Sequence, residues 1–278
     1  MTTGLNNLFY KFSRISETLL DAAVATLYPS RCRVCGCMVE TWRDGVACDH
    51  CWREVNLESQ AGDYCGKCWT KLKPLPSQVD VPERRCGKCD SFPFGVVRAC
   101  GPYEGALRES VLWLKRQPNI PPRLGGALRR TFAVMPESHL IESIIPVPLH
   151  PDRRANRGFN QAEVIARELI SPAGIFGAAG PTQLSNWTGP RLELTAVVRV
   201  KKTDRHRAGM SGRKRASSLE NAFRIRAPRL IEGRIVLVVD DLITTGGTAA
   251  EIARALLDGG ARAVNILTLA RAMNEFSQ

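Results

Sequence analysis

The stretch Val238-Val239-Asp240-Asp241-Leu242-Ile243-Thr244-Thr245-Gly246-Gly247-Thr248 decides the fold of this chain. It overlaps an apolar run at residues 235–239, which has the length and branched side chains of a buried strand, and it leads into a helical pattern at residues 248–257. Two acids and a glycine-containing turn therefore lie at the carboxyl end of a strand. Open α/β sheets bind their ligands at that position.

The alternation of strand and helix patterns extends beyond this stretch. Strands are predicted at residues 143–147 and 263–269, and a helix is predicted at residues 161–169. Strands that alternate with helices form a parallel sheet with helices on both faces. A chain of 278 residues, 44% of them hydrophobic, is long enough for one such α/β domain and a smaller module.

The turn after the strand has the features of a phosphate-binding loop. Backbone N–H groups of a tight turn at a helix N-terminus converge on an anion, and threonine hydroxyls add donors. Asp240 and Asp241 would repel a phosphate, but carboxylates suit the two hydroxyls of an attached ribose, so we predict them as the catalytic-site acids. The alternative is that Asp240 caps the turn and Asp241 is a surface acid. The predicted phosphate-binding residues are Thr244, Thr245, Gly246, Gly247 and Thr248.

A second segment, Arg157-Gly158-Phe159-Asn160-Gln161, lies between a predicted strand and a predicted helix. The carboxyl ends of parallel strands meet at one sheet edge, so we expect Arg157, Gly158 and Asn160 to lie near the phosphate loop. Arg157 would bind two pyrophosphate oxygens, Gly158 would permit close approach of the backbone, and Asn160 resembles a helix N-cap. The alternative is a capped helix start with surface arginines.

Eight of the ten cysteines form four Cys-x-x-Cys pairs. The chain shows no secretion signal and no membrane-span pattern, so we expect a cytoplasmic protein in which this spacing favours metal ligation over disulfides. Four thiolates leave no open position for water, so the bound Zn²⁺ would be structural. Interleaved pairing of the second set and redox dithiols are the alternatives. The predicted sets are Cys32, Cys35, Cys48 and Cys51, and Cys65, Cys68, Cys86 and Cys89.

Three parts are expected along the chain: an amphipathic helix at residues 1–30, a double zinc-ribbon-like module at 31–100, and the α/β domain at 101–278. The net charge of +12 favours phosphate-bearing partners such as nucleotides or nucleic acid. The basic stretch at residues 201–215 is expected to be a mobile lid or a solvated face. The cations considered for covering the site are Lys115, Lys201, Lys202 and Arg205.

Residues 238–248 closely resemble the phosphoribosyl pyrophosphate (PRPP) signature of type I phosphoribosyltransferases, in its adenine-type form. Two other segments resemble hallmarks of the competence protein F (ComF/GntX) family. One runs from Pro146-Val147-Pro148-Leu149 through Arg157-Gly158-Phe159-Asn160-Gln161-Ala162, and the other from Arg215 to Phe223. The resemblance covers nearly the whole chain. Departures are His206, where many relatives have glutamine, and Thr244, where hypoxanthine-type enzymes have an acid.

This resemblance implies a type I phosphoribosyltransferase fold with a small N-terminal cysteine-rich zinc-binding module. It also implies Mg²⁺-dependent displacement of pyrophosphate from PRPP, and a role in DNA uptake during natural transformation. A different class of function is a non-catalytic module that senses a nucleotide or binds single-stranded DNA or a DNA-uptake helicase. The basic stretch lacks the interleaved aromatic residues of a base-stacking platform, which disfavours direct base binding.

Overall fold

The structure is a computed structural model and describes residues 29–55, 64–73, 84–171, 189–202 and 220–273. Within these residues, five parallel strands form one sheet in the order β1-β7-β6-β2-β3, and β4 and β5 form a separate antiparallel pair. The strands are β1 Val97–Pro102, β2 Ser143–Pro146, β3 Arg191–Leu192, β4 Val197–Arg199, β5 Phe223–Ile225, β6 Ile235–Ile243 and β7 Ala263–Arg271.

The helices lie on both faces of the sheet. One core contains Leu107, Leu128 and Ile165 from three helices on the first face, and the other contains Ile252 and Leu256 on the opposite face. The sheet is therefore covered as the alternating pattern predicts, because strands buried on both faces need helices on each side. The α-helices of the described residues are α1 Asp49–Glu54, α2 Gly105–Leu114, α3 Pro122–Ala133, α4 Pro151–Arg157, α5 Gln161–Ile170 and α6 Gly247–Asp258.

The two cysteine sets pack on different sides of this sheet. Three cysteines of the first set belong to the core that contains α2 and α3, and three of the second set belong to the core that contains α6. Arg123 of α3 anchors the first set, because its guanidinium donates to Asp44 at 2.8 Å and to Asp49 at 2.7 Å. Trp52 of α1 packs beside it and donates its indole N–H to the carbonyl of Asp44 at 2.8 Å.

Strand β6 is longer than the sequence pattern predicts. It continues to Ile243, so Asp240 and Asp241 lie inside the strand rather than after it, and Asp240 pairs in register with Thr268 of β7. Strand β1 spans the boundary expected between residues 100 and 101, and the division into three parts stays a prediction.

Several expectations lie outside the described residues. These are the expected amphipathic helix up to residue 28 and the basic stretch from residue 203 onwards, with Arg205, His206 and Arg215. In the part of the chain that the structure describes, no helix has the length and apolar character needed to cross a membrane.

Candidate functional site

A small cavity lies where β6 ends and α6 begins. Gly246 is the N-cap of α6 with φ +85°, a left-handed conformation that glycine adopts without strain, and it turns the chain sharply into the helix. The first N–H groups of a helix have no partner within it, so this N-terminus presents donors and a positive dipole end. The cavity, called the phosphate cavity below, has a volume of about 100 Å³. Its lining includes Val147, Asp240, Thr244, Thr245, Gly246, Gly247, Thr248 and Thr268.

The two acids stand beside this cavity and are only partly exposed. Burial, and after it the negative charge of Asp241, raise the pKa of Asp240 to about 8. Burial also raises the pKa of Asp241, whereas the nearby cations Lys115 and Arg157 oppose that rise. Lys115 Nζ lies 3.8 Å from Asp241 Oδ2. The positive charge of Arg199 opposes the rise in the pKa of Asp240. The acids therefore form a desolvated pair held between cations from separate elements.

Asn160 has a structural position. Its side-chain oxygen accepts from the N–H of Ala162 at 3.1 Å and caps α5, and its amide donates to the carbonyl of Val147 at 3.0 Å. The residue is 4% exposed, and Val147 lines the phosphate cavity. Asn160 thus holds Val147, the residue that follows β2. Its link to the cavity is indirect, because Val147 and not Asn160 lines the cavity.

Arg157 and Gly158 lie at the end of α4. Gly158 ends the helix with φ +81°, and a Cβ there would meet no atom within 4 Å, so this position favours glycine for its backbone conformation. Arg157 donates to the side chain of Gln161, and its charge opposes the rise that burial causes in the pKa of Asp241. Arg157 is therefore brought to the acids but does not line the phosphate cavity.

Arg157 instead lines a larger open groove of about 730 Å³, called the basic groove below. Arg33 reaches it from the first cysteine set and stacks 4.5 Å from the ring centre of Trp113. Sequence reasoning missed Arg33 and Arg116, since only the fold brings them beside α4. The charged residues that line the groove are Arg33, Glu109, Lys115, Arg116, Arg153 and Arg157.

Lys201 and Lys202, the two lysines of the basic stretch that the structure describes, have partners elsewhere on the surface. Lys202 Nζ donates to Asp152 Oδ2 at 2.7 Å, and Lys201 Nζ donates to the backbone carbonyl of Glu220. Arg199 of β4, which the sequence analysis did not single out, is a cation whose charge, like that of Lys115, opposes the rise in the pKa of Asp240. The sequence signal that could have identified Arg199 is a short strand that ends in arginine shortly before two lysines.

Each cysteine set brings four sulfur atoms within 4.8 Å of one another, so both sets can hold a metal ion, with the sequential pairing that the spacing predicts. The distances between Cys35 and Cys48 sulfurs, 3.6 Å, and between Cys65 and Cys89 sulfurs, 3.5 Å, fit a common ligand. A tetrahedral Zn²⁺ with Zn–S bonds near 2.3 Å places its sulfurs about 3.8 Å apart. The first cysteine tetrad is Cys32, Cys35, Cys48 and Cys51, and the second cysteine tetrad is Cys65, Cys68, Cys86 and Cys89.

The surroundings of Arg271 are evidence that the second cysteine tetrad is suited to a metal ion. Its side chain is buried at the end of β7, Nη2 donates to Thr70 Oγ1 at 2.6 Å, and Nη1 has no partner among the described residues. Burial lowers the pKa of Arg271, and the four cysteine sulfurs oppose this change. Zn²⁺ with four thiolates carries a net charge of about −2, which compensates a buried guanidinium.

Comparison with known proteins agrees with this geometry. Residues 155–275 match the phosphoribosyl transferase domain family, which confirms the type I phosphoribosyltransferase fold. The DNA utilization protein YhgH of Escherichia coli O6:H1 is 37% identical over 257 residues, covering 88% of this chain and 98% of that protein. Competence protein F of Haemophilus influenzae is 30% identical over 81% of this chain and 96% of that protein.

These relatives define the family. The chain belongs to the competence protein F family, as the sequence motifs predict. Competence protein ComFC of Bacillus subtilis is 26% identical over 80% of this chain and 90% of that protein. A solved structure, that of the allosteric regulatory enzyme of purine biosynthesis, is 19% identical with a TM-score of 0.30, covers 57% of this chain and 30% of its own, and is too distant to inform fold or function.

Proposed function

We propose that this protein binds PRPP or a nucleotide through its 5′-phosphate and, with Mg²⁺, transfers the phosphoribosyl group in the cytoplasm. The observation that carries this proposal is the phosphate cavity at the α6 N-terminus with two desolvated acids at its edge. A phosphate alone gains nothing from two carboxylates, because like charges repel. A phosphate joined to a ribose gains acceptors for its hydroxyls.

The chain's own residues supply binding and orientation in this proposal. The turn from Thr244 to Thr248 would hold the 5′-phosphate, and Asp240 and Asp241 would accept hydrogen bonds from the ribose hydroxyls. With both ends of the ribose 5-phosphate fixed, the anomeric carbon is presented in one orientation, which is the main catalytic contribution available without a nucleophile. Arg157, beside Asp241, is suitably placed for a diphosphate on the anomeric carbon.

Transfer would break the bond between the anomeric carbon and a pyrophosphate oxygen and form a new bond to a nitrogen of the acceptor base. Mg²⁺ bound with the diphosphate would neutralise charge on the leaving group. The partly exposed carboxylates beside the cavity are oxygen ligands of the kind that Mg²⁺ prefers. Zn²⁺ in the two cysteine tetrads would be structural, since four thiolates fill its coordination.

The test compares Arg157→Ala with the unchanged protein for three ligands. PRPP, a nucleoside monophosphate and single-stranded DNA are each titrated at two salt concentrations. If Arg157 binds the diphosphate, PRPP affinity falls about ten- to hundredfold, which corresponds to the loss of a charge-assisted hydrogen bond of about 1.5–3 kcal/mol. Affinity for the monophosphate, which has no diphosphate on the anomeric carbon, changes little.

Arg254→Ala is the matched control, because Arg254 is an exposed arginine of α6 that pairs with Glu251. It removes one positive charge without entering the site. Equal loss of PRPP and monophosphate affinity in Arg157→Ala would show that Arg157 binds the 5′-phosphate that both ligands share, and not the diphosphate. Turnover is measured separately by release of pyrophosphate in the presence of candidate bases.

A second candidate function is favoured by the basic groove. Its five cations and single carboxylate lie within one groove of about 730 Å³, and phosphate chains bind such surfaces with release of counterions. Relatives named for competence and DNA utilization make single-stranded DNA the natural probe. If the groove holds DNA, Arg157→Ala lowers DNA affinity and its salt slope while both nucleotides bind as before.

A further inference from the structure

The second cysteine tetrad lies directly behind the phosphate loop. A cavity of about 220 Å³ is lined by Cys68, Cys86 and Cys89 and also by Thr245, which lines the phosphate cavity as well. The ring of Phe92 closes the gap: a Cβ added to Gly246 would lie 3.1 Å from Phe92 Cε2. The N-cap of α6 therefore rests on an aromatic ring.

Both cysteine pairs of the tetrad hold the backbone of Phe92. Its N–H donates to the carbonyl of Cys89, at 3.1 Å, within the second pair. Its carbonyl accepts from Lys67 Nζ, at 2.9 Å, between the cysteines of the first pair. The position of Phe92 thus depends on how the two pairs are held together, and a shared metal ion holds them together most strongly.

A second route joins the same elements. Arg271 of β7 donates to Thr70, two residues after Cys68, and pairs in register with Ile243, the last residue of β6. The backbone N–H of Ala272 donates to the carbonyl of Ile243 at 2.9 Å. The end of β6, which starts the phosphate loop, therefore pairs with a residue that is bound to Thr70, and Thr70 in turn contacts Cys68 of the tetrad.

From these contacts we infer that metal occupancy of the second cysteine tetrad and binding of a 5′-phosphate are coupled, with Phe92 as the positioning residue that links them. The inference rests on the proposed function of the phosphate cavity. Coupling of two binding equilibria is reciprocal. If a phosphate ligand raises the affinity for zinc, zinc raises the affinity for that ligand by the same factor. Regulation of ligand binding by zinc supply or thiol oxidation would follow.

The first cysteine tetrad provides an internal control in the same molecule. Its buried cysteines pack in the other core, with α2 and α3, and the described contacts of Phe92 and Arg271 do not reach it. A general stabilisation of the fold by ligand would affect both tetrads. Coupling through Phe92 affects the second tetrad alone.

The test uses the full chain loaded with zinc and ribose 5-phosphate as the probe, because a diphosphate would itself chelate zinc. A chelator is titrated with and without the probe at equilibrium, exposed thiols are alkylated, and mass spectrometry quantifies protection separately at each tetrad. We expect the probe to raise the chelator concentration for half-loss at the second tetrad about fivefold or more, the usual lower range of such coupling. The first tetrad should not respond.

Phe92→Ala should weaken this shift while the chain still carries zinc in both tetrads, since only the contacts through Arg271 remain. Phe92→Tyr, which keeps the ring, should retain the full shift, and an unchanged shift in Phe92→Ala would refute the role of Phe92. Phe92→Leu replaces Phe92→Ala if the smaller residue prevents folding, and the comparison in the unchanged chain needs no variant. If ribose 5-phosphate binds but shifts neither tetrad, or shifts both equally, the coupling is refuted and the proposed function stands. If it does not bind at all, both proposals fall.

Discussion

The desolvated acid pair predicts that replacing Asp240 by asparagine stabilises the free protein. The pKa of this carboxyl is raised from 3.8 to about 8, so the folded state favours its protonated form. A carboxyl whose pKa is raised by folding does not lower the free energy of unfolding when the pH is below its unfolded pKa. The loss of free energy of unfolding grows as the pH rises and becomes constant above the folded pKa. The neutral asparagine has the same shape and no such penalty.

The size of the effect follows from the shift. Each pKa unit corresponds to 1.36 kcal/mol, so the full shift sets an upper limit of about 6 kcal/mol above pH 8. The side chain is partly exposed towards the cavity, and its penalty is shared with Asp241, so we expect about 1–3 kcal/mol at pH 8.5. For a chain of this size, that raises Tm by roughly 2–10 °C.

Thermal or urea unfolding of Asp240→Asn and the unchanged protein at pH 6 and pH 8.5 measures this. The gain should be larger at pH 8.5, because at pH 6 the buried carboxyl is mostly protonated. Zinc loss on unfolding affects both proteins alike and cancels in the difference. Asp258→Asn, at an exposed position of α6, is the matched control for the change from aspartate to asparagine. A gain that is absent or equal at the two pH values would refute the account of Asp240.

Three further results are expected. Metal analysis of the purified protein should give about two zinc ions per chain, and less than one would contradict this prediction. Hydrogen exchange after zinc removal should show unfolding mainly of residues 31–100. Gly246→Ala should lower phosphate affinity and stability more than Gly158→Ala, since both have positive φ but only the first meets a neighbouring ring. Asn160→Ala should cost about 1–3 kcal/mol in urea unfolding, because the helix cap is lost and the Val147 carbonyl loses its partner; an unchanged midpoint would exclude that role.

The fold and the presence of a cavity between β6 and α6 could be predicted because their signals are local. Residues 235–248 contain a buried strand, two acids, a turn and a helix start in consecutive order, and no other part of the chain is needed to interpret them. The cysteine tetrads are similar, since a Cys-x-x-Cys spacing itself places two sulfurs on one turn. In both cases the physical constraint acts over a few residues.

The remaining features depend on contacts distant in sequence. Arg33, Lys115 and Arg157 meet in the basic groove only after the first cysteine tetrad has packed on α2. Phe92 has no local pattern that marks it as a support for Gly246, and the fold brings the two together. Asn160 shows a different limit: its motif is compatible with a ligand-binding residue and a helix cap, and only the hydrogen bonds of its two polar groups define its position.

Stability and binding measured on the same variant distinguish a functional acid from a structural one. If Asp240 only capped the turn, asparagine would keep its hydrogen bond to the Asp241 N–H, now 2.9 Å, and neither property would change much. If Asp240 is kept desolvated for a ribose, Asp240→Asn makes the free protein more stable and weakens its affinity for PRPP. Changes of opposite sign arise because the penalty for burying the charge in the free protein is offset only when hydroxyl donors and Mg²⁺ reach the carboxylate.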